Sequence, residues 1–238
     1  MKMLAAFLIV GFLSASSAFS QEIRRQTFLT EEFSKEQGLV KVAFFDADST
    51  LRVSLSGSVS ANGPTDVMVL PDVEIKIAEL AKAGYLIAVV SNQGGIKAGA
   101  VTHEIADAAL HYTIQQIAEK NADAKIHYFD YAEGSDEFRK PEKGMGLRLE
   151  AILKARGLTL DWANSFMVGD SAYKKGKDVR PNGKPGTHFS NADRLFAENL
   201  GIPFIEPTDF FGWRKDNIDV FEKVSEVREY LENKAKIQ

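Results

Sequence analysis

The chain has 238 residues, of which 45% are hydrophobic and 26% are charged, so it can bury a sizeable core and disorder is not the expected state. Its formal net charge of −4 argues against bulk electrostatic binding to nucleic acid. A polyanion would have to bind at a local basic patch. The absence of cysteine excludes a disulfide framework, a lipid-modified cysteine and zinc held by cysteine.

The N-terminal segment has the pattern of an export signal. Lys2 precedes an apolar run over residues 3–13, and the small residues Ala18 and Ser20 suit signal peptidase. The run is too short to span a bilayer, which needs about 20 residues. We therefore predict a cleaved signal peptide over residues 1–20, a single domain over 21–238, and a periplasmic or secreted location. An uncleaved amphipathic anchor is the alternative.

Apolar strand-like runs then alternate with amphipathic helical segments, a pattern typical of α/β proteins with a mostly parallel sheet. The predicted strands are 40–45, 86–90, 126–130, 165–168 and 203–205. The predicted helices are 72–83, 102–119, 143–155, 192–199 and 218–236. Residues 52–70, rich in Ser and with two Gly, predict a small β-hairpin flap. We predict a Rossmann-like parallel sheet with helices on both faces and no large cap domain.

Two carboxylates one residue apart, Asp46 and Asp48, follow the first predicted strand. The carboxyl ends of strands are where open α/β sheets place their sites. One aspartate can attack phosphorus while the other passes a proton to the leaving oxygen. Taken alone, the pair is equally consistent with a solvated Asp-rich turn.

Further polar groups follow three other predicted strands. Residues 91–96, Ser-Asn-Gln-Gly-Gly-Ile, offer the Ser91 hydroxyl and glycine-exposed amides to a phosphate oxygen. Lys140 stands before Pro141, which can start a helix, so that its charge is fixed near the carboxylates. Asp170 follows a buried strand and predicts a magnesium ligand, because a hard cation prefers carboxylate oxygen. Each motif has a structural alternative. Residues 91–96 could be a glycine-rich turn, Lys140 a surface lysine and Asp170 an Asx-turn residue.

The order of these motifs resembles the haloacid dehalogenase-like phosphatase superfamily. The matching residues are Asp-Ala-Asp-Ser-Thr-Leu at 46–51, Ser91, Lys140-Pro141 and Gly169-Asp170. The resemblance implies an Asp46 nucleophile that forms an aspartyl-phosphate and an Asp48 general acid and base. It also implies that Ser91 and Lys140 clamp the phosphate. A magnesium site would be formed by Asp46, Asp170 and the backbone carbonyl of Asp48. Ser49 departs from the glycine that the family commonly has.

A narrower resemblance, over roughly residues 39–213, is to the phosphatase domain of polynucleotide kinase 3′-phosphatase. It is carried by residues 91–96, 139–145 and above all 188–204. His188 stands where that family usually has aspartate. Asp193 matches the family and Asp178 is a local alternative, so we leave open which of them assists the metal site. No Gly-x-x-x-x-Gly-Lys-Ser/Thr occurs, so we predict no 5′ phosphorylation.

The loop after Asp170 is basic and predicts contact with a phosphate backbone; its cationic residues are Lys174, Lys175, Lys177, Arg180 and Lys184. A solvated charged loop is the alternative. The residues predicted to bind substrate are Thr50, Asn92, Gln93, Lys174 and Lys175.

The leading hypothesis is an exported Mg²⁺-dependent phosphatase acting on nucleic-acid 3′ ends, with no stable protein partner and no membrane contact after signal cleavage. A phosphatase for a small sugar or nucleotide phosphate is the second hypothesis. A non-catalytic nucleic-acid-binding protein is the third.

Overall fold

The computed structural model describes residue 33, residues 38–213 and residues 221–236. The predicted signal peptide lies outside these residues. The strands are β1 (Leu39–Val40), β2 (Val42–Phe45), β3 (Arg52–Val53), β4 (Met68–Val69), β5 (Leu86–Asn92), β6 (Tyr128–Ala132), β7 (Thr159–Leu160), β8 (Phe166–Val168) and β9 (Phe204–Ile205). The helices are α1 (Val73–Lys82), α2 (His103–Lys120), α3 (Gly144–Ala155), α4 (Ala192–Leu200), α5 (Pro207–Phe211) and α6 (Val224–Ala235).

The main sheet has five parallel strands in the order β6-β5-β2-β8-β9. Strand β2 is central and pairs with β5 on one side and β8 on the other. Parallel strands need crossover connections, and α2 makes the one from β5 to β6. The predicted α/β fold with a mostly parallel sheet is therefore confirmed, and the carboxyl ends of all five strands share one edge.

Both faces of the sheet are buried, as the four consecutive buried residues of β2 require. Ala43 and Phe45 point into one apolar cluster, which includes residues of α1, α2 and α6. Val42 and Phe44 point into the other, which includes residues of α3 and α4. The alternation follows from the two-residue period of a strand. Helices on both faces thus hold the central strand, and the site at its end, in a rigid frame.

Several predicted strands have different bounds in the structure, and the predicted strand 126–130 is Tyr128–Ala132. The predicted strand 40–45 is interrupted at Lys41, because Leu39–Val40 pairs with β7 in a separate two-stranded sheet. Strand β5 continues past the predicted end at Val90, since Ser91 and Asn92 still pair with β6. The longer β5 carries two polar side chains to the sheet edge on regular backbone.

The predicted hairpin is present, because β3 and β4 pair antiparallel with Arg52 opposite Val69. Its strands are only two residues long, and residues 54–67 form the connection between them. No cap domain is inserted between the elements of residues 38–213. Within the described part of the chain, we find no helix with the length and apolar character needed to cross a membrane.

Candidate active site

The carboxyl ends of β2, β5 and β8 bring three predicted site residues to one place. Asp46 follows β2, and its backbone N–H donates to Val168 O at 3.0 Å. Ser91 lies near the end of β5, and Asp170 follows β8 after one glycine. Neighbouring parallel strands are about 4.8 Å apart, so residues just beyond their ends are close enough to act on one ligand.

Lys140 is buried at the centre of the site. Its Nζ lies 2.5 Å from Asp46 Oδ1, 2.7 Å from Asp193 Oδ1 and 2.7 Å from the carbonyl oxygen of Val90. Burial alone would lower the pKa of this lysine, but the carboxylates of Asp193 and Asp46 more than offset burial and raise it. Lys140 is therefore a permanent cation.

Asn92 holds the backbone of Lys140 in place. Its amide Nδ2 donates to Lys140 O, and its Oδ1 accepts from Lys140 N, both at 2.9 Å. The structure places the Asn92 amide on the Lys140 backbone, and substrate binding by Asn92 stays a prediction. This paired contact joins the end of β5 to the segment before α3, and it fixes where the Lys140 side chain enters the site.

Three carboxylates lie together beside Lys140. Asp46, Asp170 and Asp193 each offer an oxygen within 4.8 Å of the others. Burial raises the pKa of Asp46 to about 7, with Lys140 opposing the rise and Asp193 and Asp48 adding to it. Burial, followed by Asp193 and Asp46, raises the pKa of Asp170 well above its ordinary value. One lysine does not balance three carboxylates, so the site favours an added cation.

This oxygen-donor set fits Mg²⁺, which prefers carboxylates and keeps several waters. Of the two carboxylates that the sequence left open, Asp193 is in the cluster. Asp178 instead accepts hydrogen bonds from Lys174 N and Asn191 Nδ2, each at 2.8 Å. These contacts engage Asp178 with its own loop.

Gly169 permits the close approach of Asp193. A Cβ at position 169 would lie 2.4 Å from Asp193 Oδ2, far inside van der Waals contact. The same Oδ2 accepts from Ser171 N at 3.0 Å, while Oδ1 contacts Lys140. Both oxygens of Asp193 are thus engaged, and any side chain at Gly169 would displace them.

The carboxylate of Asp48 is held by two donors. Arg52 Nε donates to Oδ1 at 2.9 Å, and Gln93 Nε2 donates to Oδ2 at 2.9 Å. Gln93 Nε2 is also 2.8 Å from Ser91 Oγ. We predicted that Gln93 binds substrate; in the structure its amide links Asp48 to Ser91. These contacts orient the predicted acid and base next to the predicted phosphate ligand.

Two neighbours complete the loop after β2. Thr50 is fully buried, and its Oγ1 accepts from Asp170 N at 3.1 Å, so this predicted substrate-binding residue ties the two aspartate loops together. Ser49 has φ of 57°, in the left-handed region that favours glycine. The turn therefore keeps its shape with serine, at a conformational cost of about 1–2 kcal/mol.

Arg52 is the site residue that the sequence did not indicate. It is buried to 1% exposure, its Nη1 donates to Thr113 Oγ1 of α2 at 2.9 Å, and its Nη2 has no hydrogen-bond partner among the described residues. A signal was present in the sequence, because an arginine within the apolar run Leu51-Arg52-Val53 needs a buried partner.

Replacing Arg52 with methionine should lower the hydrolysis of an alkyl phosphate about 10- to 100-fold, because Asp48 loses its orientation and general acid catalysis contributes about 10²–10⁴. An aryl phosphate should lose less, since its leaving group departs without a proton. Parallel measurements of kcat for both esters test this, with Thr113→Val as the control that loosens Arg52 without touching Asp48. Equal losses on the two esters would contradict it.

The basic loop, residues 171–191, joins β8 to α4. Lys174 and Lys175, which we predicted to bind substrate, are exposed on it. Arg180 is not free, because its Nη1 lies 3.1 Å from both carboxylate oxygens of Glu206. His188 is buried, and its Nδ1 accepts from Ala172 N at 3.1 Å. The imidazole that replaces the family's aspartate therefore anchors the loop.

A cleft of about 320 Å³ lies beside the basic loop. Its lining combines aromatic and polar side chains: Tyr173, Arg180, Asn182, Phe204, Glu206 and Asp209. Strand β9 pairs with β8, so the cleft opens at the same sheet edge as the carboxylate cluster. Its size is that of a small-molecule site.

A carboxylate after the central strand, a buried lysine and an acidic cluster at one sheet edge are the arrangement of haloacid dehalogenase-like phosphatases, and the protein belongs to this class. A solved heptose 1,7-bisphosphate phosphatase of B. bronchiseptica, complexed with magnesium and phosphate, shares the fold. Its TM-score is 0.50 at 19% identity, over 69% of this chain and 79% of that one.

The chain belongs to the polynucleotide kinase 3 phosphatase family, whose model matches residues 41–211. An uncharacterised 20.8 kDa protein of Autographa californica nuclear polyhedrosis virus is 33% identical over 171 residues, 71% of this chain and 85% of that protein. A bifunctional polynucleotide phosphatase/kinase of Schizosaccharomyces pombe is 31% identical over 204 residues, 83% of this chain. The match covers only 45% of that yeast protein.

Proposed function

We propose that this phosphatase removes the 3′-phosphate from polynucleotide ends through an aspartyl-phosphate on Asp46. The observation that carries the substrate assignment is the set of exposed lysines on the loop between Asp170 and Asp193. The loop that carries these cations begins directly after Asp170, so we expect the backbone of a bound polynucleotide to reach them. Family membership and the absence of a cap domain within residues 38–213 support the proposal.

The chemistry follows from the geometry of Asp46 and Asp48. An Asp46 oxygen attacks phosphorus, the bond to the 3′ oxygen breaks, and protonated Asp48 gives that oxygen its proton. Asp48, now a carboxylate, takes a proton from water as the water attacks the aspartyl-phosphate. This releases inorganic phosphate and restores both aspartates. Lys140 and the Ser91 hydroxyl bind the phosphate oxygens.

Asp46, Asp170 and the backbone carbonyl of Asp48 would hold Mg²⁺ in this proposal, and Asp193 would add negative charge beside them. Bound there, the cation supplies charge neutralisation, so that an anionic nucleophile can approach an anionic phosphate. Lys140 keeps Asp46 oriented toward the phosphate, and Thr50 fixes the backbone of Asp170.

A phosphatase for a small sugar or nucleotide phosphate is the second candidate function. The cleft lined by Tyr173, Asn182, Glu206 and Asp209 favours it, because carboxylates and an amide suit the hydroxyls of a sugar. This second function predicts that a free monophosphate is hydrolysed at least as well as an oligonucleotide.

Phosphate release by the purified protein separates the two candidates. The substrates are a 3′-phosphorylated oligonucleotide, its 5′-phosphorylated counterpart and a 3′-nucleoside monophosphate, each with Mg²⁺ and with chelator. The proposal requires a higher kcat/KM for the 3′-phosphorylated oligonucleotide, loss of release with chelator, and loss in Asp46→Asn. A preference for the monophosphate would instead establish the small-molecule function.

We also propose that the protein is exported to the periplasm or the medium after cleavage of residues 1–20. The support is the sequence pattern of a charged residue, an apolar run and small residues. N-terminal sequencing of the protein from fractionated cells tests this. A mature chain beginning near Gln21 is expected, and an intact N-terminus in the cytosolic fraction would contradict export.

A further inference from the structure

Phe189 has the most exposed large hydrophobic side chain of the described residues, at 96%. A single exposed apolar side chain is ordinary on a protein surface. The position of this one is not ordinary, because it lies on the basic loop, between the two segments that carry Asp170 and Asp193. An aromatic ring at the rim of a phosphatase site can contact a substrate that extends beyond its phosphate.

Both flanks of Phe189 are fixed. The preceding residue, His188, donates its backbone N–H to Tyr173 O at 2.9 Å and accepts from Lys175 N at 2.8 Å. Asp193 follows four residues later, so the Phe189 Cα is at most about 14 Å from that of Asp193. The ring is therefore presented from an ordered backbone, at a distance from the carboxylate cluster that a short oligonucleotide spans.

The surroundings of Phe189 carry uncompensated positive charge. Four lysines of the basic loop are exposed, and within the part of the chain that the structure describes none of them forms an ion pair: Lys174, Lys175, Lys177 and Lys184. The other charges of the loop are engaged, since Arg180 pairs with Glu206 and Asp178 lies 3.4 Å from Arg194. Exposed lysines next to an exposed aromatic ring are the combination that binds single-stranded nucleic acid.

The neighbouring cleft lacks this uncompensated positive charge. Glu206 and Asp209 line it, and its Arg180 is paired with Glu206, so the cleft does not attract a phosphate backbone as the exposed lysines do. A polynucleotide whose 3′-phosphate lies at Asp46 is thus directed along the lysines and over Phe189, away from the cleft.

We propose that the Phe189 ring stacks on a base of the polynucleotide upstream of the 3′-phosphate, and that this contact makes the enzyme favour a polymer over a monophosphate. The proposal rests on the proposed function and deepens it. Stacking is tolerant of sequence because every base has a π face. The contact therefore confers preference for length without preference for base identity.

The test compares Phe189→Ala with Phe189→Tyr, which keeps an aromatic ring. Val179→Ala is the matched control, because Val179 is 67% exposed on the same loop and has no ring. Each change is placed in the Asp46→Asn background, and binding of a fluorescent 3′-phosphorylated oligonucleotide is measured by anisotropy. Phe189→Ala should raise Kd about 5- to 100-fold. Phe189→Tyr and Val179→Ala should leave Kd within about twofold.

Hydrolysis by the same variants in the Asp46 background separates stacking from a structural role. Phe189→Ala should raise KM for the oligonucleotide and leave kcat on p-nitrophenyl phosphate unchanged, because that small ester does not reach the ring. Equal losses on both substrates, or an unchanged oligonucleotide Kd, would overturn the stacking proposal.

Different results would refute the stacking proposal and the proposed 3′-phosphatase function. If the parent enzyme releases no phosphate from the oligonucleotide while the Asp46→Asn protein binds it in a Phe189-dependent manner, the function fails and stacking stands. If the parent enzyme is active on the oligonucleotide and Phe189→Ala binds it equally well, stacking fails and the function stands. A parent protein that binds no oligonucleotide overturns both.

Discussion

Lys140→Met should lower phosphate release about 100- to 1,000-fold, the loss typical for removal of one preorganised charge that stabilises a transition state. The lysine is buried between Asp46 and Asp193, with no other cation this close to the cluster among the described residues. Its loss leaves three carboxylates within 4.8 Å of one another without a counter-charge. In the proposed mechanism, the phosphate oxygens then lose a ligand and Asp46, the proposed nucleophile, loses its orientation.

The same substitution should shift the pH profile. Lys140 is the group that opposes the burial-driven rise in the Asp46 pKa, so its removal raises that pKa above about 7. Because the nucleophile must be a carboxylate, the residual activity of Lys140→Met should rise over a more alkaline range than that of the parent. A pH profile of kcat/KM checks this. An unchanged acid limb would show that Lys140 does not act on Asp46.

The control for this prediction is Lys143→Met, three residues away on an exposed position. It removes one positive charge from the same segment without entering the site, so activity should stay within about twofold of the parent. Lys140→Met also leaves buried negative charge without a partner. We therefore expect its free energy of unfolding to be about 3 kcal/mol lower than that of the parent. Circular dichroism must therefore show a folded variant before its kinetics are compared.

The sequence predicted those parts of the site that depend on strand ends. Asp46 and Asp170 follow uninterrupted apolar runs, and such runs become neighbouring parallel strands whose carboxyl ends meet. In these cases a local pattern and the general geometry of a parallel sheet together determine the position of the side chain. Lys140 is different, because the helix after it begins only at Gly144 and Asn92 holds its backbone, so strand ends alone do not place it.

Contacts between side chains that are distant in sequence could not be predicted. Asn92 reaches the backbone of Lys140, 48 residues away, and only the packed structure shows that its amide is used there. Arg52 donates to Thr113, 61 residues away, and although the sequence indicates that Arg52 needs a buried partner, only the packed structure shows which residue this is. The break at Lys41 likewise depends on β7, whose two residues carry no strand signal of their own.

Without a divalent cation, the protein should lose stability as the pH rises from about 4 to 7. The folded-state pKa of Asp46 is about 7 against an ordinary 3.8, so between these values the folded state binds more protons than the unfolded state. Stability then falls with rising pH, and the full contribution of Asp46 is about 4 kcal/mol at most. The raised pKa of Asp170 acts in the same direction.

Mg²⁺ should reverse this trend, because ligand carboxylates must lose their protons to bind a metal. Urea unfolding in chelator at pH 5, 6 and 7 should show a declining free energy, and the rise in Tm on adding Mg²⁺ should be larger at pH 8 than at pH 5. Asp46→Asn should flatten the decline in chelator and reduce the Mg²⁺ effect, since the amide neither ionises nor replaces a carboxylate ligand.

Asp66→Asn is the control, because the pKa of Asp66 is shifted in the opposite direction to that of Asp46. Hydrogen bonds from Ser56 and Asn62 outweigh the opposing effect of burial and lower the pKa of Asp66, so its contribution is lost as the pH falls. Asp66 lies in the hairpin connection, and its replacement should leave the decline between pH 5 and 7 in place. A parent protein that gains stability over this range, or an Asp46→Asn variant with the parent's slope, would show that the buried carboxylates are not what strains the metal-free site.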